Sequence, residues 1–528
     1  MSVISARDFP GREASKTGPG DLTLDCDVVI IGSGAGGATM ATELALAGQR
    51  VIVLEEGRDV PALEHGAMRQ SESLRHVWRE GGMTAALGLG GAPTVNVTTG
   101  RCIGGSSVIT GGVCFRVPES VLRVWSREMN LKDLTPEGLD PYYNHVEKAI
   151  HVEEVPLSMR SRSTNLFCAG AEQLGIAMNP IRRNTKGCNG CGRCNFGCPH
   201  GAKLSVDLSY LPRAMAAGAQ VYSHCLVDRI VMKGSHATGV EGRILQTPVG
   251  GKKGKLKVTA KRVVVACGGM HTPGLLRSSG LAPVGSGIGR NLTLHPGFRV
   301  YAVFDSPVRG WQGAMQSAYS DDFEHDGVTL ISLFVPASVI AATMPHAGPR
   351  HARLAERVDH IAMFGAMVHD DGGGSLHRNP FGREPICFYR CTPRDHARMR
   401  FGIKKLGEVF LAAGAKEIFL PVLGSEGLTP DEFRRYPFEQ IPASRLEAAS
   451  QHPLGSSRMG ATASTSVVDP WGKMWDTDNV YIADGGILPS SLGVNPQLTI
   501  MAMATRIAWE LADSKRVQGT RVQPAITA

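Results

Sequence analysis

Unbroken apolar runs, rather than alternating ones, mark the first strands of this chain. Val28 to Ile31 is continuous and β-branched, as a strand buried on both faces should be, and Val51 to Leu54 repeats the pattern after an intervening helical stretch. Gln220 to Ile230, Leu256 to Ala260 and Arg262 to Cys267 each read as a strand, and Asn479 to Ala483 as a short buried one. From Gln497 to Leu511 the apolar positions recur at helical spacing, with Pro496 placed as the first helical residue and Asn495 as N-cap. Residues 119–160 suggest helices, polar around Glu147 to Glu154. Val328 to Met344 is the most membrane-like later stretch, but Pro336 interrupts it and it is short for a span, so it reads as a strand entering a buried helix.

The turn after the first strand, Gly32-Ser33-Gly34-Ala35-Gly36-Gly37, has G-x-G-x-x-G spacing. Gly32 permits the tight turn, Gly34 and Ala35 bring backbone close to a pyrophosphate, and Gly37 lets the helix pack on the strand, while free N–H groups at the helix start face the phosphates. Glu55 ends the next strand at the distance expected of a carboxylate that holds adenosine ribose hydroxyls. Strand, turn, helix, strand and acid in that order predict a bound dinucleotide; the bland alternative is a βαβ unit whose glycines serve only packing.

Nucleotide-fold patterns lie at both ends and in the centre. The expected fold is α/β: a Rossmann-type domain with a parallel sheet, built from residues 25–130, 215–295 and 445–515. A second, α+β domain on a mostly antiparallel sheet with helices interrupts it at 131–214 and 296–444. Residues 1–24 and 516–528 read as flexible tails. The 528 residues, 42% hydrophobic, suffice for two cores. The net charge of +8 is scattered rather than blocked, which argues against a nucleic-acid partner and leaves room for peripheral contact with an acidic membrane surface. No secretory signal is visible in residues 1–24, and four of the twelve cysteines sit in one short motif rather than a disulfide framework, so a cytoplasmic location is expected.

Six blocks in order carry a family resemblance: Gly32 to Gly37 with Glu55; Gly100-Arg101-Cys102-Ile103-Gly104-Gly105-Ser106-Ser107; Gly268 to Gly280; Gly289 to Leu292 with His295-Pro296; His452 to Gly460; and Asp484 to Thr499. The chain resembles the glucose-methanol-choline (GMC) flavoprotein oxidoreductases, and within them the long-chain fatty alcohol oxidase-like branch, with which it shares Asp370-Asp371-Gly372-Gly373-Gly374. The resemblance implies FAD as the dinucleotide. It implies that His452 is the base and Asn495 the second catalytic residue, that Asp484 with Gly485 and Pro496 touches the cofactor, that Gly104 to Ser107 lie along the isoalloxazine, and that Arg101 and Val227 belong to the same site. Thr110 departs from the family, where Asn is common. The chemistry agrees: a neutral imidazole near its working pH can take a hydroxyl proton while a hydride leaves for flavin N5, and the helix after Pro496 can stabilise negative charge on the reduced ring.

Cys188, Cys191, Cys194, Cys198 and Pro199 form C-x2-C-x2-C-x3-C-P, the spacing of bacterial iron–sulfur ferredoxins. One iron–sulfur cluster is the sharp reading; a zinc site, or a tight turn of thiols or disulfides, are the alternatives.

The expected activity is oxidation of a primary or secondary alcohol to the aldehyde or ketone. An apolar alcohol is expected, because Leu330 to Met344 and Ile361 to Met367 could line a pocket. The electron acceptor is a quinone, a cytochrome or oxygen, the last if no cluster is present. Rival readings are an NAD-dependent enzyme and a non-catalytic electron-transfer flavoprotein subunit.

Overall fold

The computed structural model describes residues 2–6, 21–247, 250–282 and 286–516. Two sheets organise them. The first is parallel at its centre: Ile4–Ser5, Gln220–Ser223, Val51–Leu54, Leu22–Ile31 and Gly250–Val265 lie side by side, and Val480–Ile482 pairs with the end of the last. Val28 to Ile31 sits between Val51–Leu54 and Arg262–Val265, and Val28, Val29 and Ile30 are wholly buried, which is why their pattern does not alternate. Cys225–Lys233 and His236–Thr247 extend this sheet as an antiparallel meander. Helices Ala35–Leu46, Pro136–Ala149, Tyr210–Ala216 and Gln497–Arg516 share its core.

The second sheet is mostly antiparallel. Its order is Ser375–His377, Ile386–Arg390, Ala85–Leu89, Val95–Val97, Ala448–Ser450, Gly297–Val303, Ile361–Val368, Val328–Ser332, Ala318–Ser320 and Asn179–Pro180, with Glu417–Phe419 also on Gly297–Val303. The twenty-residue helix Pro393–Ala412 packs on it, capped by Thr392, which accepts from Asp395 N–H at 3.1 Å.

Several boundaries differ from the sequence reading. Ile4–Ser5 and Leu22–Leu24 are strand, not tail, while residues 7–20 and 517–528 lie outside the described residues. Gln220 to Ile230 is broken at His224, whose φ of 61° turns the chain from the parallel sheet into the meander. Leu256 to Cys267 is instead one strand through Val265. Lys261 looks like a break in the apolar run but is an outward position, paired with Asp27 at 2.8 Å. Ala85–Leu89, Val95–Val97 and Ala448–Ser450, assigned to the nucleotide domain by sequence, are strands of the second sheet, whereas helix Pro136–Ala149 places Leu139, Tyr143 and Val146 in the first core. Val152–Glu154 is a short strand. After Val328–Ser332 and an extended stretch, helix Ala337–Thr343 buries only Ile340, so it is a surface helix. Among the described residues no helix is long and apolar enough to cross a membrane.

The glycine turn is tightly packed. A Cβ on Gly36 would sit 1.7 Å from the Ala483 carbonyl oxygen, at the end of strand Val480–Ile482. Gly36→Ala is therefore expected to destabilise the protein by about 2–3 kcal/mol and to lower its FAD content, read by thermal melting and by flavin absorbance after gel filtration. A variant that melts with the wild type and keeps its flavin would contradict this packing.

Candidate active site

A cavity of about 1250 Å³ is lined by both sheets. At one end lie Gly32, Gly34, Ala35 and Glu55. Glu55 is locked at its strand end: Oε2 accepts the Ser33 amide (3.1 Å) and hydroxyl (2.7 Å), and Oε1 accepts the Gly57 amide (2.9 Å). Burial raises its carboxyl above the usual range, against these donors. Ser33 Oγ also accepts the Gly104 amide at 3.0 Å, tying this turn to the next. Gly105, Ser106 and Ser107 of that second turn line the cavity, as does Val227. A Cβ on Gly105 would approach Gly34 Cα to 2.9 Å, so the two glycine turns meet backbone to backbone and expose amide groups to the cavity.

Asp484 is a buried tie. Its carboxylate accepts Gly268 N–H (2.9 Å), Thr272 hydroxyl (2.5 Å) and Gly486 N–H (2.7 Å), which joins the turn after strand Gly250–Val265 to the turn before the last helix. Gly485, Pro496 and Gln497 complete this wall. The helix begins at Gln497, and the Pro496 carbonyl accepts the first helical bond, from Ile500 N–H. Asn495, the expected cap, therefore stands one residue ahead of the cap position, and its side chain is turned elsewhere, 3.2 Å from Nε2 of His452.

His452 faces the cavity yet lies deep in the molecule, and burial, with His295 adding to it, holds its conjugate acid well below the ordinary imidazole range. Nδ1 of His295 lies 3.3 Å from Nδ1 of His452. The protons of this pair follow from its ends. Nε2 of His295 accepts from Leu492 N–H (2.8 Å) and Gly493 N–H (3.3 Å), so His295 carries its proton on Nδ1, directed at His452. Burial, with His369 contributing, depresses the His295 imidazolium to about 3, so the pair stays neutral. A neutral His452 that accepts at Nδ1 carries its own proton on Nε2. The acceptor in reach is the Asn495 amide oxygen, once the amide is turned about its axis; as drawn, that oxygen is buried without a partner.

The family models for GMC oxidoreductase match residues 27–297 and 376–504. The chain belongs to the GMC oxidoreductase family. It is 38% identical over 483 residues to an uncharacterised GMC-type oxidoreductase of Mycobacterium tuberculosis, covering 91% of this chain and 75% of that one. It is 28% identical over 519 residues to a long-chain-alcohol oxidase of Arabidopsis thaliana, 93% of this chain and 68% of the relative. Among solved structures, Aspergillus oryzae formate oxidase superposes with a TM-score of 0.72 at 15% identity, covering 94% and 99% of the two chains. This GMC oxidoreductase is thus an FAD-dependent enzyme acting on CH–OH donors. The cavity fits that cofactor: paired glycine turns for the pyrophosphate, an anchored Glu55 for the ribose, and a helix N-terminus at Pro496 and Gln497 for a ring that gains charge.

Not every expected residue of this GMC site reaches the cavity. Gly37 and Gly104 lie behind the wall, and buried Arg101 pairs with Glu80 at 3.1 Å. Thr110, in the place where Asn is common, does line it and lies 3.2 Å from Gln497 Oε1.

The iron–sulfur reading finds no support in the donor set. Among the described residues no three Cys, His, Asp or Glu side chains converge as metal ligands, for a cluster or for zinc, and the twelve cysteines are unpaired. Cys194 turns inward to Arg183, whose Nη2 donates to its sulfur at 2.9 Å, while Cys188, Cys191 and Cys198 remain half-buried. The small residues between them serve packing instead: a Cβ on Gly192 would meet the Trp311 carbonyl oxygen at 2.5 Å. Asn195 and Phe196 of this loop line the GMC site, and Lys203, at the loop's end, braces the turn behind it. Its Nζ donates to the carbonyls of Val108 (2.6 Å), Thr110 (2.9 Å) and Cys194 (2.9 Å), and burial lowers its ammonium to about 8.

Sequence reasoning missed a charge network on the cavity wall. Glu56 is bonded to Arg79 and Arg383, and Glu384 to Arg79 and His271, each at 2.9 Å. Burial opposes ionisation of Glu384, but His271 and Arg79 hold it down to about 2. The only sequence signal was a second acid directly after Glu55.

Proposed function

We propose that the chain oxidises a primary or secondary alcohol bearing an apolar chain, with the substrate oxygen held between His452 and Asn495. One observation carries this reading: those two side chains share a cavity with the glycine turns on one side and with Ile331, Leu333, Val335, Val339 and Met367 on the other. The activity of the long-chain-alcohol oxidases among its relatives supports it. FAD, when bound, supplies the hydride acceptor. The second sheet and its apolar wall orient the alkyl chain, and the N-terminus of helix Gln497–Arg516 favours negative charge beside it. The test is anaerobic addition of a panel of aliphatic alcohols to the holoenzyme. Flavin absorbance is expected to bleach with decanol; a protein bleached by none of them does not oxidise aliphatic alcohols.

The resemblance makes His452 the base, which requires a bare Nε2 facing the hydroxyl. The backbone donors on His295 favour a second reading. With its proton on Nε2, His452 donates to the substrate oxygen together with the Asn495 amide, and the two stabilise the ionised alcohol, whose proton leaves to water. The pH profile of flavin reduction separates them. A neutral base with so depressed a conjugate acid is fully active across pH 6–9, so its profile is flat there. A donor pair that binds alkoxide instead gives a rate rising about tenfold per pH unit, as the ionised fraction does. The second outcome is expected.

A further inference from the structure

We propose that Arg299 is a receptor for a carboxylate at the far end of the substrate, so that the preferred substrate is a hydroxy acid with an apolar chain between its two ends. This rests on the alcohol-oxidation reading and narrows it. Arg299 lies on strand Gly297–Val303, in the floor of the second sheet, and lines the cavity. Its neighbours Phe298 and Val300 are fully buried in the core on one face of the sheet. Strand alternation therefore turns Arg299 to the opposite face, with Tyr301 and Val303, which pack in the apolar cluster beside the cavity. Directly across the strand pair stands Gly365, which has no side chain to occupy the space a guanidinium needs. Beyond it come Ile331 and Met367, both apolar.

Among the described residues Arg299 has no hydrogen-bond or ion-pair partner. Four other arginines of this cavity are engaged: Arg79 and Arg383 hold Glu56, Arg243 holds Asp228, and Arg277 donates to the Ile288 carbonyl, while Arg378, likewise without a partner among the described residues, is exposed to solvent where Arg299 is half-buried. The acids that line the cavity, Glu55, Glu56, Asp228 and Asp484, all belong to the first domain, so no carboxylate on the second sheet neutralises Arg299. A permanent cation on an apolar wall without a counter-charge is costly, and its planar fork suits a carboxylate. Arg299 and the pair His452 and Asn495 that holds the substrate oxygen line one cavity together with the apolar residues Ile331, Leu333 and Met367, so a substrate with a hydroxyl at one end, a carboxylate at the other and an alkyl chain between them matches its chemistry.

The experiment compares wild-type holoenzyme with Arg299→Leu and Arg299→Lys, using decanoate, decanol and ω-hydroxydecanoate. Decanoate is expected to perturb the flavin spectrum of the wild type on binding. Arg299→Leu is expected to weaken that binding by roughly 10- to 100-fold, with Arg299→Lys in between. In turnover, the kcat/KM preference for ω-hydroxydecanoate over decanol is expected to fall by a similar factor in Arg299→Leu, mainly through KM. Equal affinity of wild type and Arg299→Leu for decanoate, or no decanoate binding to the wild type, overturns the proposal. Failure of every protein to be bleached by either alcohol refutes the alcohol reading instead, and the decanoate comparison still decides whether Arg299 binds carboxylate.

Discussion

Anaerobic reduction of the bound flavin by decanol is expected to slow by about 10²- to 10⁴-fold in His452→Asn, the span of a lost proton-handling or oxygen-holding group. Asparagine puts its amide where Nδ1 of the ring stood, so its oxygen can still accept from Nδ1 of His295 while the Nε2 position that faces the substrate is lost. Both readings of the site predict a slow variant, and they divide on its pH dependence. If His452 were the base, the variant would regain rate as hydroxide replaces it, so its profile would slope where the wild type's is flat. If His452 is a donor, both profiles rise in parallel and differ by a constant factor. FAD content and melting temperature matching the wild type would show that the loss is chemical. A His452→Asn protein with full rate would show that the cavity's histidine takes no part in the reaction, and the electron-transfer-subunit reading would gain.

Much of this site is written locally in the chain. The βαβ unit is legible because strand, glycine turn, helix and acid fall within thirty residues, and each is set by near neighbours. Asn495 and the last helix are legible for the same reason, except that the helix starts one residue later and frees the amide for His452. What was not legible depends on contacts between distant segments. His295 was visible only as part of a His-Pro pair; its function comes from Leu492 and Gly493, almost two hundred residues away, which fix its proton. Arg299 looks like any polar residue in an alternating strand until Gly365 is seen opposite and no acid beside it. The cysteine motif drew no support from the structure for a related reason. Spacing says how many residues separate two thiols but not which way each turns, and packing against Trp311 together with the pull of Arg183 decided that.

Asp370→Ala is expected to cost about 3–5 kcal/mol of stability, the scale for removing one partner from a buried charged cluster. Asp370 is 1% exposed and serves four donors. Oδ1 accepts His295 N–H (3.1 Å) and the Ser491 hydroxyl (3.0 Å), and Oδ2 accepts Leu294 N–H (3.0 Å) and the Tyr389 hydroxyl (2.8 Å). Alanine leaves all four unpaired in a dry interior. The loss does not stop at stability, because these bonds hold His295 at a φ of 49°, a conformation unusual for a side chain of this size that persists only when its surroundings impose it. They also hold Ser491, next to the backbone donors that orient the His295 ring. Ser450, which bonds the Leu294 carbonyl and the His452 amide, passes the same constraint to the catalytic side. Asp370→Asn is a sharper probe. It keeps the shape but turns NH2 toward one backbone N–H, which cannot accept, and one hydroxyl, which can, so its loss should fall between those of alanine and Tyr389→Phe. Tyr389→Phe removes one bond and should cost about 1 kcal/mol. Urea unfolding of the three variants reads this order directly. Should Asp370→Ala unfold within about 1 kcal/mol of the wild type, Asp370 would not be the brace that sets His295 against His452, and the proton arrangement derived for that pair would lose its structural support.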